Sequence, residues 1–519
     1  MSSAQTAVAS SQNILLPRAE YDALQAQVQA LQTQLDWFKR QLFGAKSEKR
    51  LEIDPALQAD LLAALGEDLP VPAKPEIEKI TYERRKSRAD NTVTDTGLRF
   101  DDSVPVETIV LSSPELANVP KDEQILITEK ITYRLAQRPG SYVVLKTIRP
   151  VIKRKETGEL ITPAAPTNVL DKSIADVSFL AGMLVDKFLY HLPLYRQHQR
   201  LRRCGIEIAR PTLTNLSSRA IALLEPIFDA QFEHLLRSRV LAMDETPIKA
   251  GRKAKGKMRQ GYLWPLYGED DEIVFTYTPS RAAGHVHDVL GESFSGTLVS
   301  DGYEAYARYA RQNTLVTHAE CWAHTRRYFE RAKEAAPEAA AQALELIGEL
   351  YRFEAHIRDK QLTDAAKLKY RAEHSEPAVR AFWQWCDEQC QRQDLLPSHP
   401  LTKAVKYATA RTDSLKVFLS DPDVPIDTNH LERALRPIPM GRKNWLFCWT
   451  ELGAKQVGII QSLLVTCKLH GINPHTYLVD VLQRISLHPA SRVIELTPRV
   501  WKEKFADNPL CSELDRHAR

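Results

Sequence analysis

The stretch Arg239–Ile248, RVLAMDETPI, decides how the centre of this chain is interpreted. It begins with a short apolar run, Val240–Met243, and a polar segment follows at once. Short apolar runs bounded by turn residues are typical of buried strands. Four later stretches have the same character: GYLWPLYG, EIVFTYTP, GTLVSDGY and TLVTHAECWAH. Hairpin-linked strands followed by alternating helices and strands predict an α/β domain with a mixed sheet.

Two aspartates lie at the ends of predicted strands. Asp244 follows the run VLAM, and Asp301 follows LVS. A carboxylate at the end of a buried strand is costly to desolvate unless it is paired, and two neighbouring carboxylates repel. A divalent cation relieves that repulsion, and Mg²⁺ prefers carboxylate oxygens. The pattern therefore indicates a metal site, although turn capping alone is an alternative that Asp301–Gly302 would also satisfy.

A third carboxylate from a helix would complete a two-metal site for phosphoryl transfer. Glu432 is the candidate, because DTNHLERALRPIPMGRKNW combines a capping segment, a short helix and a basic turn. The residues alone leave another role open, since Glu432 also has the i,i+4 spacing for an ion pair with Arg436. Arg442 and Lys443 in the basic turn are candidate DNA contacts.

A helix-turn-helix pattern precedes the strands. Two helical patterns in LYRQHQRLRRCGIEIARPTLTNLSSRAIALL are joined by Cys204–Glu207. Between Lys187 and Ala220 the only acidic residue is Glu207, so the run is strongly basic. Such a run favours contact with DNA phosphates, although a solvated helix face is the alternative. The candidate contacts are Arg196, Arg200, Arg202, Arg203 and Arg210.

A second basic segment, Gly251–Gln260, is predicted to be the loop between the first two strands. It contains five cations and no acid. We interpret it as a mobile hairpin tip that holds DNA near the metals, and a solubilising turn is the alternative. The cations are Arg252, Lys253, Lys255, Lys257 and Arg259.

The N-terminal part of the chain has a different character. Apolar residues from Leu24 to Leu42 alternate at spacings of four and three, which is a coiled-coil seam. We predict a self-association helix, with packing on its own domain as the alternative. From 98 to 166 an alternating, β-branched pattern predicts a small β module. This module contains no Cys or His for a zinc site.

Cysteine use and overall charge narrow the class of protein. Cys321 and His324 form a pair after the fifth strand, but two ligands are too few for zinc, so we expect a structural latch and no zinc. The net charge of +4 does not by itself demand a nucleic-acid partner. Seven scattered cysteines, with no apolar span and no export signal, predict a cytosolic protein without a disulfide framework.

Several long motifs, in order, resemble the insertion-sequence-66 family of bacterial transposases, specifically its large TnpC-type subunit. The resemblance covers nearly everything from about residue 20 onward. The motifs are QLFGAKSEK, HLPLYRQHQRL, LAMDETP, SDGYEAY, CWAHTRRYF, DTNHLERALRPIPMGRKNWLF and KLHGINPHTYLVDVL.

This resemblance implies an RNase H-like core with a DDE triad, which falls on Asp244, Asp301 and Glu432. These carboxylates would hold catalytic Mg²⁺, or Mn²⁺ in its place. The implied partners are double-stranded DNA at the element ends and the target, further copies of the chain and smaller companion proteins. The implied location is the bacterial cytoplasm, at the nucleoid. One departure is that the family's Cys-rich, zinc-finger-like module lacks its cysteines here.

We therefore expect an α+β multidomain DDE transposase that cuts and joins DNA. A nuclease of the same fold that does not join, and a non-catalytic DNA-binding protein derived from a transposase, remain open. The predicted parts are a flexible tail (1–17), a coiled-coil helix (18–51), a linker (52–97), the β module (98–166), the helix-turn-helix domain (173–236), the first part of the RNase H-like catalytic core (237–330), a helical insertion (331–410), the second part of the core (411–455) and a helical C-terminus (456–519).

Overall fold

Strands and helices are mixed along the part of the chain that the computed structural model describes. This part is residues 98–516 apart from 112–119, 121–123, 139, 156, 167, 255–256, 394, 443 and 445–446. The predicted tail, coiled-coil helix and linker lie outside the described residues. The described residues belong to one compact unit, Ser87–Arg519.

The described residues form strands of very different length. They are β1 (Arg99–Phe100), β2 (Val106–Val110), β3 (Gln124–Arg138), β4 (Ser141–Arg154), β5 (Leu160–Ile161), β6 (Ile206–Glu207), β7 (Val240–Met243), β8 (Thr246–Ala254), β9 (Lys257–Tyr267), β10 (Ile273–Thr278), β11 (Gly296–Ser300), β12 (Val316–Glu320) and β13 (Phe447–Cys448).

Helices precede, follow and interrupt the strands. They are α1 (Val177–Phe188), α2 (Leu194–Arg203), α3 (Arg210–Leu235), α4 (Gly284–Leu290), α5 (Glu304–Gln312), α6 (Trp322–Ala332), α7 (Pro337–Asp359), α8 (Asp364–Tyr370), α9 (Glu376–Cys390), α10 (Pro400–Thr409), α11 (Thr412–Ser420), α12 (Asn429–Leu435), α13 (Pro437–Gly441), α14 (Glu451–Leu469), α15 (Pro474–Arg484), α16 (Pro498–Lys504) and α17 (Glu513–Arg516). A π-helical turn (Arg371–Ser375) joins α8 to α9, and a 3₁₀ segment (Ala490–Leu496) precedes α16.

The alternating pattern upstream of the helices forms a separate small sheet. Its strand order is β2-β4-β3, with β5 paired to β4. Strands β3 and β4 make a long antiparallel hairpin that closes at the pair Arg138↔Ser141. Gly140 in the turn has φ +83°, a backbone conformation that a residue with a Cβ rarely adopts. The predicted strands are therefore present in this cysteine-free region.

The helix-turn-helix prediction is confirmed for the helices themselves. Helices α2 and α3 are joined by a turn that contains β6, which pairs with β1. Gly205 in this turn has φ +78°, and a Cβ there would collide with the Asp101 carboxylate at 2.3 Å. Helix α3 is longer than predicted, because it continues through Pro226 and reaches Leu235 beside the central sheet.

The central sheet has the order β12-β11-β7-β9-β8-β13, with β10 paired to β9. Strands β7, β11 and β12 are parallel, whereas β9 is antiparallel to β7, β8 and β10. The predicted mixed sheet is thus confirmed, but among the described residues it has seven strands instead of five, and β13 was not predicted. The first predicted strand is divided into β7 and β8 opposite Pro265, which has no N–H to continue the ladder.

Helix α14 covers one edge of the central sheet. Gly458 lies so close to β10 that a Cβ would be 2.3 Å from the Phe275 carbonyl oxygen. The Ser462 hydroxyl accepts a hydrogen bond from the Phe275 N–H at 2.9 Å, and Gln231 of α3 donates to Thr466 at 2.9 Å. Gln231 also donates to the Ile273 carbonyl of β10 at 2.9 Å, so these bonds satisfy buried polar groups and join α3 to both α14 and the edge strand.

The helical stretch predicted at 331–410 is present as helices α7 to α10, and α6 packs against it. Its core is aromatic, with Trp322, Phe329 and Phe382 fully buried. Trp322 and Phe382 have ring centroids 5.3 Å apart in an edge-to-face contact, a favourable geometry. In the described part of the chain, none of the helices combines the length and apolar character that crossing a membrane requires.

Candidate active site

The two predicted aspartates are brought together at one edge of the central sheet. Strands β7 and β11 are parallel neighbours, with Leu241 opposite Leu298 and Ala242 opposite Val299. Their carboxyl ends therefore coincide, and Asp244 and Asp301 follow those ends directly. One carboxylate oxygen from each of Asp244, Glu245 and Asp301 lies within 4.8 Å of the others. This is the arrangement that the strand-end pattern predicted, with Glu245 added.

The cluster is electrostatically unfavourable without a cation. Burial, reinforced by the charges of Glu245 and Asp301, raises the pKa of Asp244 to about 7. Burial also raises the pKa of Glu245 above its usual value. Asp244 and Glu245 therefore resist ionisation beside Asp301, and a divalent cation would remove that penalty.

Glu245 is a site residue that the sequence analysis missed. The Tyr306 hydroxyl donates a 2.6 Å hydrogen bond to Glu245 Oε2, and Arg281 forms an ion pair with Oε1. Tyr306 is fully buried, so its hydroxyl direction is fixed by packing. The motif LAMDETP contains both Asp244 and Glu245, but only Asp244 was considered as a metal ligand.

Glu432 lies on a different wall of the same cleft. It belongs to the first turn of α12 and lines an open cleft of about 430 Å³ with Asp244 and Glu245. It is outside the tight group of three carboxylates, because Arg327 Nη2 holds both of its oxygens at 2.6 and 2.7 Å. Among the described residues its ion-pair partner is thus Arg327, and the i,i+4 alternative with Arg436 is not the one formed.

The Cys321–His324 segment connects α6 to the chain that leads into α12. Cys321 Sγ accepts a hydrogen bond from the Thr428 N–H at 3.3 Å, and the Trp322 N–H donates to the Ile426 carbonyl at 3.1 Å. Contacts of this kind fit the predicted latch. The sequence did not predict that His324 also lines the cleft, where its Nε2 lies 3.7 Å from Glu432 Oε1.

The loop after β11 is held by Arg411. A Cβ on Gly302 would collide with the Tyr407 hydroxyl at 2.2 Å, so this position needs glycine. Arg411 donates to the Gly302 carbonyl at 3.1 Å, and its Nε is 3.2 Å from Glu320. The Tyr303 N–H donates to Asp301 Oδ1 at 2.9 Å. The aspartate is therefore fixed in place from both sides of the turn.

The basic helix-turn-helix residues fall into two groups. Arg200 is half-buried and held by the protein, because it pairs with Asp186 and donates to the Tyr142 hydroxyl at 2.7 Å. A DNA contact from Arg200 would require breaking both interactions. The other four predicted cations are exposed, and they are Arg196, Arg202, Arg203 and Arg210.

The prediction that Gly251–Gln260 is a loop is wrong. Most of this segment continues strands β8 and β9, with Arg252 opposite Met258 and Ala254 opposite Lys257. Backbone pairing extends the hairpin although the side chains are polar and exposed. Its described cations Arg252, Lys253, Lys257 and Arg259 are exposed, whereas Lys255 lies outside the described residues.

The basic turn after α12 is described only in part. Arg442 donates a hydrogen bond to the Thr246 hydroxyl, two residues after Asp244 along the chain. Lys443 lies outside the described residues. The predicted DNA contact at Arg442 therefore has a protein partner close to the carboxylates.

Comparison with known proteins identifies the family. Residues 172–456, more than half of the chain, match the family described as Transposase IS66 family, and residues 462–499 match its C-terminal element. Residues 30–109 match the family described as Transposase C of IS166 homeodomain. The chain belongs to the IS66 transposase family. The homeodomain-like match overlaps the predicted coiled-coil helix, the linker and the first residues of the β module, and the coiled coil and the linker stay predictions.

Two relatives come from Sinorhizobium fredii, and both are uncharacterized. The protein y4hP is 28% identical over 507 residues, which cover 92% of this chain and 89% of the relative. The protein y4qI is 30% identical over 406 residues, which cover 74% of each chain. The chain is similar to these proteins over most of its length.

Because the pKa of Asp244 is raised, we predict that ionising this carboxylate lowers the free energy of unfolding of the metal-free protein. The folded protein retains a proton that the unfolded chain releases, so the free energy of unfolding falls as the pH rises from about 4 to about 7. Asp244→Asn removes this cost. In chelator, we expect the variant to be more stable than the parent by up to about 4 kcal/mol at pH 8, with the difference shrinking toward pH 5.

Thermal denaturation at a series of pH values measures this difference. The exposed Asp507 supplies the matched control, and Asp507→Asn should leave the melting temperature nearly unchanged at every pH. A stability difference for Asp244→Asn that is the same at pH 5 and pH 8 would contradict the prediction.

Proposed function

We propose that this protein is a DDE transposase that cuts the ends of a mobile element and joins them to target DNA. The observation that carries the proposal is the placement of acidic residues in and beside one cleft in a chain of the IS66 family. Asp244 and Asp301 lie at the ends of adjacent parallel strands, and Asp244 lines the cleft together with Glu432 of α12. Three antiparallel strands continued by two parallel ones support an RNase H-like core.

The residues of the cleft fit Mg²⁺ or Mn²⁺. The acidic group offers only oxygen donors, which magnesium and manganese prefer, and its oxygens are within 4.8 Å of one another. We assign metal binding to Asp244, Asp301 and Glu432, with Glu245 beside them. When bound there, the metal would supply Lewis-acid activation of the attacking oxygen and stabilisation of the leaving oxygen.

The protein's own cations would place the DNA backbone against this cleft. Arg327, Arg433 and Arg436 line it together with the acidic residues. Guanidinium groups suit bidentate contact with phosphate oxygens. Arg327 holds Glu432, so it is positioned both to orient that carboxylate and to contact a phosphate that enters the cleft.

Recognition of the element ends would use the helix-turn-helix. Arg202 and Arg203 lie at the end of α2 and are exposed. Arg210 begins α3, and its guanidinium stacks on the exposed Tyr195 ring at 4.6 Å. These side chains are free to follow a phosphate backbone, unlike Arg200.

Replacing Arg202 and Arg203 together by Ala tests the recognition step. Each lost phosphate contact should flatten the dependence of log affinity on log salt by roughly 0.9 unit, so the slope should fall by close to two units. Fluorescence anisotropy with labelled duplex DNA at several salt concentrations measures the slope. Arg352→Ala with Arg380→Ala is the matched control, because both arginines are exposed and pair with acids in the helical stretch after β12. An unchanged slope would show that Arg202 and Arg203 face solvent and do not contact DNA phosphates.

The reaction products separate transposition from its alternatives. End-containing DNA is incubated with the protein and Mg²⁺ in the presence of a circular target. We expect cut ends followed by end–target joint molecules. Cutting without joining would instead identify a nuclease, and binding without cutting would identify a non-catalytic DNA-binding protein.

A further inference from the structure

A narrow groove lies where the helix-turn-helix meets the central domain, away from the carboxylates. It has a volume of about 240 Å³ and is formed by the end of α1, by α2 and α3, and by the start of α14. This is below the roughly 300–1,000 Å³ of pockets for drug-sized ligands, so it admits one planar ring system. In the part of the chain that the structure describes, no acidic residue lines it.

Trp449 forms one wall of the groove and is unusually exposed for its type. Trp449 is the first residue after β13, and its side chain is 63% exposed. The nearby Leu452 is 62% exposed. Large aromatic residues are normally well buried, so an exposed tryptophan beside a groove indicates a contact surface. The Arg252 guanidinium lies over the indole at 5.2 Å, which connects this surface to the basic hairpin.

Lys187 lies in the opposite wall and forms no ion pair with a described residue. Among the described residues it is the only cation that lines the groove, and its Nζ lies 4.6 Å from the centroid of the Phe188 ring. Burial lowers the pKa of Lys187, as expected for an ammonium without a carboxylate partner. The nearest acid along the chain from Trp449, Glu451, does not line the groove and has its side chain beside Gly251 of the hairpin. The groove therefore favours an anion.

We propose that this groove binds one unpaired nucleotide of the bound DNA, with its base stacked on Trp449 and its phosphate next to Lys187. A base offers the planar face that an exposed indole stacks on, and a phosphate supplies an ion-pair partner for the half-buried lysine. An aromatic wall, a cation and the absence of acids together match a nucleotide better than an apolar peptide.

The strand pairing sets an upper limit on the distance between this nucleotide and the cleavage site. Cys448, the residue before Trp449, is opposite Ala250 on β8, and Asp244 precedes β8. Six residues of extended chain span at most roughly 20 Å. An unpaired nucleotide held in the groove would thus be a few nucleotides from the phosphate in the cleft. The inference rests on the proposed function, because it assumes that DNA occupies that cleft.

The test compares the affinities of the parent and of its variants for two 30-base-pair duplexes, which differ only at one bulged position. One duplex carries an unpaired thymidine, and the other carries an abasic residue at the same place. Stacking of one base should make the parent bind the thymidine bulge between about five-fold and about a hundred-fold more tightly. Trp449→Ala should bind the two duplexes equally, and Trp449→Phe should retain most of the preference.

Two further variants test the separate contributions of the cation and of the aromatic wall. Lys187→Gln should weaken binding of both duplexes and flatten the salt dependence without removing the preference for thymidine. Leu487→Ala removes a still more exposed apolar side chain elsewhere and should change nothing. Because no cleavage is measured, Asp244→Asn protein should give the same preference as the parent.

Each failure has a distinct meaning. Equal affinity of the parent for both duplexes overturns the groove proposal and leaves the proposed transposase function standing. A preference that survives in Trp449→Ala places the base elsewhere and also overturns it. If Trp449→Ala instead lowers the sedimentation coefficient of the DNA-free protein, the groove binds a second copy of the chain. Absence of binding to either duplex at low salt contradicts both proposals.

Discussion

Asp244→Asn and Asp301→Asn should each reduce Mg²⁺-dependent strand cleavage by at least about a thousand-fold. Each change removes a negative oxygen from the strand-end cluster while keeping the size of the side chain. The cluster oxygens of Asp244 and Asp301 lie within 4.8 Å of one another, so either loss leaves the metal with an incomplete set of ligands. DNA binding should remain within about two-fold, because neither residue belongs to the basic surfaces.

Cleavage and binding are measured on the same DNA under the same conditions. Glu432→Gln extends the test to the other wall of the cleft, where Arg327 holds the carboxylate. The exposed Asp507→Asn is the control and should cleave like the parent. A variant that keeps most of the cleavage activity removes its residue from the catalytic set.

Tyr306→Phe should reduce cleavage by about 10- to 100-fold, the usual effect of losing a partner that orients a metal-site residue. The substitution removes only the hydroxyl that donates to Glu245 Oε2 at 2.6 Å. Glu245 would then be held by Arg281 alone and would turn away from Asp244 and Asp301. The loss should be smaller at high Mn²⁺ concentration, because the damage is to metal affinity.

The same helix provides a matched control for this variant. Tyr309 also donates a hydrogen bond, but to the Gly291 carbonyl at 2.7 Å and not to a carboxylate. Tyr309→Phe should therefore keep the metal dependence of the parent. Equal effects of the two substitutions would show that loss of a buried hydroxyl, and not the position of Glu245, causes the defect.

Local patterns predicted the part of the site that depends on short-range order. Apolar runs of four or five residues specify strands, and parallel neighbours in a sheet bring the residues after them together. Asp244 and Asp301 could therefore be placed side by side from sequence. The division between β7 and β8 also has a local cause, since Pro265 on the facing strand cannot donate to the ladder.

The rest of the site depends on contacts between distant parts of the chain. Glu245 is held by Tyr306, 61 residues away, and Glu432 by Arg327, 105 residues away. Periodicity carries no signal for such pairs. The strand pairing within the basic hairpin was missed for a different reason, because charged and exposed side chains hide the alternation that marks a strand. Its backbone pairing is nevertheless regular at Arg252↔Met258.

Replacing the bridging 3′ oxygen of the scissile phosphate by sulfur tests most directly whether metal held by the carboxylates acts on the leaving group. Sulfur binds Mg²⁺ poorly and softer ions such as Mn²⁺ better. We predict that cleavage of the sulfur-containing end is lost in Mg²⁺ and restored by Mn²⁺, and that Asp244→Asn abolishes the restoration. Equal cleavage of the oxygen and sulfur ends in Mg²⁺, or restoration by Mn²⁺ in Asp244→Asn protein, would contradict the assignment of the metal to these carboxylates.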